Sequence, residues 1–374
     1  MVRQTLLFAL FLVPAGLDAG EKPAAKLRSP IGTVLQRGAA KGWLTPMLYD
    51  ALPAGAELVT LPGARGVLEI QEGDVRLLLA GNLPEFSSTP VLESVVTLHQ
   101  PSAGLNLEFT LQRGRVLIEN HKDSGAANVR VRVQGKELNF DLLDKKSVVV
   151  LELFSRWPAG APFFKKPKED HKPVGELVFL VVQGKAAIEL SGEKQPLEGP
   201  AMYRFNTLRG IEGPLALKRA PDWLKPADNQ PVKVTALQAA VEKLRRGIAD
   251  KGVATGLAQA QASADTPLRA VAAYSGIAMD NLAIAIVALR TDKAKEVRVA
   301  AIDALFHYIG RGSAEDVRLY EALVADKLKA GQAGIIMELL HGISAEARLR
   351  PRPCTSTAPD KRVNNAARTT PRTA

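Results

Sequence analysis

The stretch PDWLKPADNQPVKVTALQAAVEKL, residues 221–244, decides the fold because the spacing of apolar residues changes within it. Before this stretch, apolar and polar side chains alternate at every second position, which is the spacing of a half-buried β-strand. After it, apolar residues recur every three to four positions, which is the spacing of an amphipathic helix. The sequence therefore predicts an α+β protein with separate regions: an N-terminal all-β region and a C-terminal all-α region.

Alternation is clearest in two runs of the β-region. Leu105 to Leu111 and Val129 to Val133 place apolar side chains at odd positions and polar ones between them, as expected of strands with one wet face. Glu72-Gly73-Asp74 lies between two further runs and predicts a hairpin turn. Gly114 suits a tight turn or bulge. Short strands at this spacing favour an antiparallel sandwich, a roll or a β-solenoid over a βαβ fold.

Helix-start signals follow the proline-rich connector. Thr235 to Gln238 is a capping-box pattern, and Thr266-Pro267 places a cap residue before a proline at the first helical position. The run from Val297 to Leu305 resembles one helix of a HEAT-like repeat, which would arrange the helices in stacked pairs. A plain helical region is the alternative, because no clean second copy of the pattern is present.

The N-terminus predicts export. Residues 1–4 are a short basic start, residues 5–12 (TLLFALFL) are an apolar run, and Leu17-Asp18-Ala19 ends in a small residue. Together they have the form of a secretory signal peptide that is cut after Ala19. An uncleaved anchor is the alternative, although the apolar run is shorter than the roughly 20 residues that span a bilayer. We therefore expect a periplasmic or secreted protein.

The C-terminal tail is basic and poor in large apolar residues. Half of the formal net charge of +10 lies in residues 343–374, and Cys354 is the single cysteine of the chain. This composition cannot bury enough surface to order itself, and the abrupt change near residue 348 fits either a basic arm for anionic partners or a shifted reading frame. The predicted boundaries are a signal peptide at 1–19, a spacer at 20–30, a β-rich region at 31–213, a proline-rich linker at 214–231, a helical region at 232–347 and a disordered tail at 348–374.

Side chains that could perform chemistry are scattered along the chain. Glu169, Asp170 and His171 are adjacent in a charged, proline-bounded segment, where they point in different directions, and no second ligand pair stands at helical or hairpin spacing. We therefore predict an exposed loop there and no metal site. The remaining histidines are His99, His121, His307 and His341. The sequence contains no Gly-x-Ser-x-Gly, His-Glu-x-x-His, Gly-x-x-x-x-Gly-Lys or Cys-x-x-Cys motif, so we predict no catalytic, cofactor-binding or metal-binding residues.

Four segments resemble the FecR-type β-domain of exported bacterial proteins: Ile31 to Val34, Leu61 to Gly63, Val67 to Leu77 and Arg113 to Asn120. The resemblance covers roughly residues 31–150. The sequence departs from the family in its hairpin, where Glu72-Gly73-Asp74 replaces Asp-Gly-Ser, and in lacking the family's later Gly-Thr-x-Phe-x-Val strand. The family's cytoplasmic anti-sigma segment and membrane helix are also missing. The resemblance implies a periplasmic protein-interaction domain without catalysis.

The sequence thus predicts a non-enzymatic exported binding, scaffold or signalling-related protein whose β-region contacts a protein partner through a sheet edge or face. One alternative is an envelope hydrolase or polysaccharide-acting enzyme with a site drawn from His99, His121 or His171 and a carboxylate. Another is a structural protein that binds an anionic envelope polymer, with an affinity that falls steeply with salt. We expect no nucleic acid partner, no cofactor and no transmembrane segment after signal cleavage.

Overall fold

The computed structural model describes residues 22–39, 42–86, 91–157, 172–221 and 232–325. In these ranges the strands are β1 Ala25–Leu27, β2 Val34–Arg37, β3 Trp43–Leu44, β4 Ala51–Leu52, β5 Glu57–Thr60, β6 Arg65–Ile70, β7 Val75–Ala80, β8 Val95–Leu98, β9 Leu107–Asn120, β10 Ala127–Val133, β11 Lys136–Leu142, β12 Val148–Arg156, β13 Val174–Gln183, β14 Lys185–Leu190, β15 Glu193–Glu198, β16 Ala201–Asn206 and β17 Gly210–Ala216. The α-helices are α1 Val232–Lys251, α2 Val253–Gln261, α3 Thr266–Ala278, α4 Leu282–Thr291, α5 Lys295–Tyr308 and α6 Ser313–Ala325. The predicted α+β class with separate regions is confirmed.

The strands form one continuous sheet that folds into two layers. Layer 1 has the order β4-β1-β6-β7-β9-β12-β13-β16-β17. Layer 2 has the order β3-β2-β5-β8-β9-β10-β11-β14-β15. These pairings are antiparallel except for the parallel pair of β9 and β10. Successive hairpins from β10 onward alternate between the layers: β10–β11 and β14–β15 belong to layer 2, and β12–β13 and β16–β17 belong to layer 1. In both layers, strands that come later in the chain therefore lie closer to the same end of the layer.

Strand β9 belongs to both layers and changes layer at Gly114. Its first half pairs with β8 and β10, and its second half pairs with β7 and β12. Gly114 has a φ of +103°, and a Cβ added there would lie 2.2 Å from the carbonyl oxygen of Glu93. Glycine alone allows this close approach without strain. The expected turn is therefore a bend within one strand, next to a register shift opposite Val95 and Val96.

The core of the β-region lies between the two layers. Phe140 of β11 and Phe179 of β13 meet there edge to face, with ring centroids 5.1 Å apart, and so join layer 2 to layer 1. The predicted alternation of β10 is confirmed, since Val129, Val131 and Val133 are buried in this core while the arginines between them are only partly buried.

Two segments outside the predicted β-region are part of the sheet. Residues 25–27, assigned to the spacer, form β1, and Ala25 and Leu27 are buried while Lys26 is exposed. The lysines and prolines of this segment suggested a spacer, but three residues with alternating burial are enough to form β1, which pairs with the edge strand β4. Residues 214–216, assigned to the linker, complete β17. The predicted signal peptide, Glu169 to His171, His341, Cys354 and the tail lie outside the described residues.

The helical region packs on the outer face of layer 2. Leu35, Val59 and Val95 come from β2, β5 and β8, and they share a continuous apolar core with all six helices. Helix α3 is central in this core, since its residues from Ala270 to Ala278 are all buried. None of the described helices is long and apolar enough to cross a membrane.

The bend at Gly114 can be tested with a matched pair of glycine variants. Gly114 and Gly125 both have positive φ, but a Cβ at Gly125 would have no neighbour within 4 Å. We expect Gly125→Ala to cost about 1–2 kcal/mol of backbone strain, and Gly114→Ala to cost about 1–3 kcal/mol more because of the clash with Glu93 and Ser94. Urea unfolding measures both values, and equal losses would contradict the proposed role of Gly114.

Candidate interaction surface

Each described histidine outside the helices has its own local partner. The Nε2 atom of His99 lies 2.8 Å from the hydroxyl of Thr110, and that of His121 lies 2.8 Å from the carboxylate of Glu119. Partial burial, with Arg132 nearby, lowers the pKa of His99. His307 lies in α5. Within the described ranges, no three His, Cys, Asp or Glu side chains are grouped so that they could hold a metal ion.

Buried charges lie where the helical region meets the sandwich. The carboxylate of Glu93, which precedes β8, lies 2.5 Å from Nε of Arg113 in β9 and 2.6 Å from Nη2 of Arg311, which follows α5. Arg311 also lies 3.6 Å from Asp280, between α3 and α4. Burial acts to raise the pKa of Glu93, but the two arginines outweigh burial and lower the pKa. Glu93 therefore stays ionised inside the protein.

This cluster joins the two regions of the chain. Arg113 donates a hydrogen bond to the carbonyl of Ala278 (3.3 Å), and Arg311 donates one to the carbonyl of Ile277 (3.1 Å). Both carbonyls are at the C-terminal end of α3, where cations are favoured by the helix dipole. Guanidinium groups stay charged at any physiological pH, so this arrangement clamps the chain and is unsuited to moving protons.

A second contact ties α6 to the end of β12. The indole Nε1 of Trp157 donates to Oδ2 of Asp316 (2.5 Å), and the amide of Gly310 donates to Oδ1 (3.0 Å). Burial raises the pKa of Asp316 to about 6, although both hydrogen bonds act to lower it. The side chain that holds α6 against the sandwich therefore titrates near neutral pH.

The last residue of β3 and the loop that follows it present four large apolar side chains to solvent. Leu44, Met47, Leu48 and Tyr49 are 60, 55, 40 and 61% exposed; we call residues 44–49 the apolar loop. Two hydrogen bonds fix it, from the Met47 amide to the carboxylate of Asp50 (2.6 Å) and from the Tyr49 amide to the carbonyl of Leu27 (2.9 Å). Clustered exposed apolar residues are typical of interaction sites.

Trp43 ties the start of the apolar loop to the helical region. Its indole Nε1 donates to the carbonyl of Met279 (3.2 Å). The guanidinium of Arg37 lies 4.0 Å from the centre of the indole ring and 3.4 Å from the carboxylate of Asp280. The orientation of the loop therefore depends on both regions of the protein.

A cleft of about 740 Å³ runs beside β1. Its lining includes Lys22, Lys26, Arg28, Glu69, Glu72 and Gln100. Arg28 connects the cleft to the apolar loop, because its guanidinium lies 2.5 Å from the carboxylate of Glu69 and 4.7 Å from the centre of the Tyr49 ring. Glu72 lies in the turn between β6 and β7, so the hairpin predicted at Glu72-Gly73-Asp74 is confirmed.

The outer strands of both layers are poorly suited to pairing with another chain. Strands β3 and β4 have two residues each. Strands β15 and β17 contain Pro196 and Pro214. Short edges and prolines prevent an added strand from forming a regular ladder. Of the two predicted routes to a partner, the structure therefore favours a surface over a sheet edge.

Sequence reasoning missed both the apolar loop and the cleft. The signal for the loop was the run Trp43-Leu44-Thr45-Pro46-Met47-Leu48-Tyr49, in which apolar residues flank a proline without strand or helix periodicity. The cleft had no such signal, because its walls come from three separate parts of the chain.

No protein-family model and no curated protein match the chain. Two solved structures of a candidate anti-sigma factor from Parabacteroides distasonis are similar to part of it, with 13% sequence identity and TM-scores of 0.27 and 0.26. Each covers 48% of this chain, and the chain covers 63% and 62% of those structures, which is less than two thirds of their length. A similarity of this size transfers no function.

The clamp at Glu93 predicts that Arg311→Leu lowers the free energy of unfolding far more than Lys145→Ala does. Arg311→Leu leaves part of the buried Glu93 charge uncompensated, so we expect unfolding free energy to fall by about 3–5 kcal/mol. Lys145→Ala breaks the Lys145–Asp123 pair, in which Asp123 is fully exposed, so we expect a change within about 0.5 kcal/mol. Urea denaturation of both variants provides the comparison. Similar losses would show that Glu93 does not hold the regions together.

Asp316 predicts a pH dependence of stability. Its folded-state pKa of about 6 lies above the ordinary value of 3.8, so the folded protein binds this proton more tightly than the unfolded chain does. Its contribution to stability is complete below about pH 3.8 and is lost as the pH rises through about 6. We expect Asp316→Asn to remove this part of the slope, as measured by urea denaturation between about pH 4 and pH 7. An unchanged slope in Asp316→Asn would refute the assignment.

Proposed function

We propose that this chain is a non-enzymatic exported binding protein, related in role to signalling β-domains, that holds a segment of a protein partner in the cleft along β1. The observation that carries the proposal is the cleft itself, which combines a volume of about 740 Å³ with charges of both signs. Cavities of this size with a few convergent polar groups are typical binding sites. The resemblance to FecR-type β-domains and the predicted signal peptide support the exported, non-catalytic part of the proposal.

The lining of the cleft matches an extended peptide better than a polymer of one charge. Lys22 and Lys26 can pair with acidic side chains of a partner, and Glu72 can pair with basic ones. The amides of Gln71 and Gln100 offer both donors and acceptors to a peptide backbone. The lining combines the cations Lys22, Lys26 and Arg28 with the carboxylates Glu69 and Glu72, and Arg28 already pairs with Glu69. An anionic envelope polymer would therefore find no uniform positive charge in the cleft, which makes the polymer the weaker candidate.

Site-specific photo-crosslinking tests the proposal in the bacterial envelope. A crosslinker at Gln71 and another at Gln100 should capture the same protein, because both residues line the cleft. A crosslinker at Lys136, the exposed first residue of β11, should not capture that protein. Capture of cell-wall polymer alone, or of different proteins from the two cleft positions, would overturn the proposal.

A charge change in the cleft gives a second measurement on the same partner. Lys26→Glu places a carboxylate opposite Glu69, its register neighbour on β6, and we expect at least about tenfold weaker crosslinking because like-charge contacts cost more than about 1.4 kcal/mol. Lys145→Glu changes the net charge equally on an exposed site outside the cleft and should leave crosslinking unchanged.

A further inference from the structure

We propose that the apolar loop inserts into the interface of a lipid bilayer and so holds the neighbouring cleft at a membrane surface. This inference concerns the loop at residues 44–49 and goes beyond the proposed binding of a protein segment. Two observations carry it: the side chains of the loop and the charge beside it.

The first observation is the chemistry of the loop. Its exposed side chains are Leu44, Met47, Leu48 and Tyr49, and all four belong to one short loop held by hydrogen bonds at Met47 and Tyr49. Leucine-type side chains bury favourably at the boundary between headgroups and acyl chains. Tyrosine is enriched at that boundary, and the exposed Tyr49 lies at the end of the loop.

The second observation is the charge around the loop. Arg28 stacks on the ring of Tyr49, and Lys26 pairs in register with Ala51, two residues after the loop. Two acidic groups beside the loop are engaged locally, since Asp50 accepts the Met47 amide and Glu69 pairs with Arg28. Because that pair also engages Arg28, the exposed Lys26 is the cation that we expect to contact anionic headgroups, and such a contact strengthens membrane binding.

A protein partner is the other class of ligand for an exposed apolar loop. The lipid surface is favoured because none of the four exposed side chains lines the cleft, where a partner segment would be seated. All four come from one continuous stretch of chain, as expected for shallow insertion into an interface.

A fluorescent label on the loop itself tests the proposal without interference from residues 5–12. The full chain carries an environment-sensitive dye at Leu48→Cys in a Cys354→Ser background, and the control chain carries it at Val299→Cys on α5, where the side chain is also exposed. We expect vesicles of phosphatidylglycerol and phosphatidylcholine in equal parts to shift the Leu48 label to an apolar emission, and lipid-attached quenchers to reach it. The Val299 label should remain in water.

Two outcomes would overturn the proposal. An unchanged Leu48 emission would show that the loop stays in water, and equal shifts at Leu48 and Val299 would show unspecific adsorption. A second variant measures affinity: with the same label at Leu44→Cys, Met47→Ser with Leu48→Ser should weaken vesicle binding at least about tenfold, because two of the apolar side chains that would leave water are replaced by polar ones. Val287→Ser with Val299→Ser should not weaken it. Failure of these tests leaves the crosslinking result in the cleft unaffected.

Discussion

The close approach of Gly114 to Glu93 and Ser94 is the constraint on which the rest of the structure depends. At this point β9 passes from one layer to the other, and the hydroxyl of Ser94 lies within hydrogen-bond distance of the Ala80 carbonyl (2.7 Å) and of the Arg115 amide (2.9 Å). The side chain of Glu93 reaches the other way, to Arg113 and Arg311. The dipeptide Glu93-Ser94 thus connects both layers and the helical region. A side chain at position 114 would push this dipeptide away and disturb its contacts with all three parts.

The periodicity of the sequence was sufficient to predict the class of the fold. The alternating valines of β10 report local structure, and they are buried as predicted. Thr266-Pro267 does begin α3, but the N-cap residue is Asp265, and Thr235 lies inside α1, which begins at Val232, so neither threonine caps its helix. The Glu93 clamp had no such signal, because Glu93 and Arg311 are more than two hundred residues apart and meet only through the topology. The apolar loop was not predicted for a different reason. Periodicity identifies apolar residues that recur at a fixed spacing, and Leu44 to Tyr49 have no such spacing.

The outer strands, the cleft and the apolar loop are suited to different interactions. The outer strands are short or contain proline, which directs a partner away from them. Arg28 touches both the cleft and the apolar loop, so a ligand in one would influence the other. Trp43 and Arg37 extend this connection to the turn between α3 and α4. The helical region thereby supports the surface that we propose for binding, without forming it.

The order of the strands has a consequence for how the molecule is built. Every strand from β3 onward pairs with at least one strand that precedes it in the chain. A chain that is made from its N-terminus can therefore add each strand to strands that are already in place. The helices arrive last and cover β2, β5 and β8, which are among the earliest strands made. Folding in this order proceeds from the N-terminal strands to the helices, and it ends when the helices cover the strands that formed first.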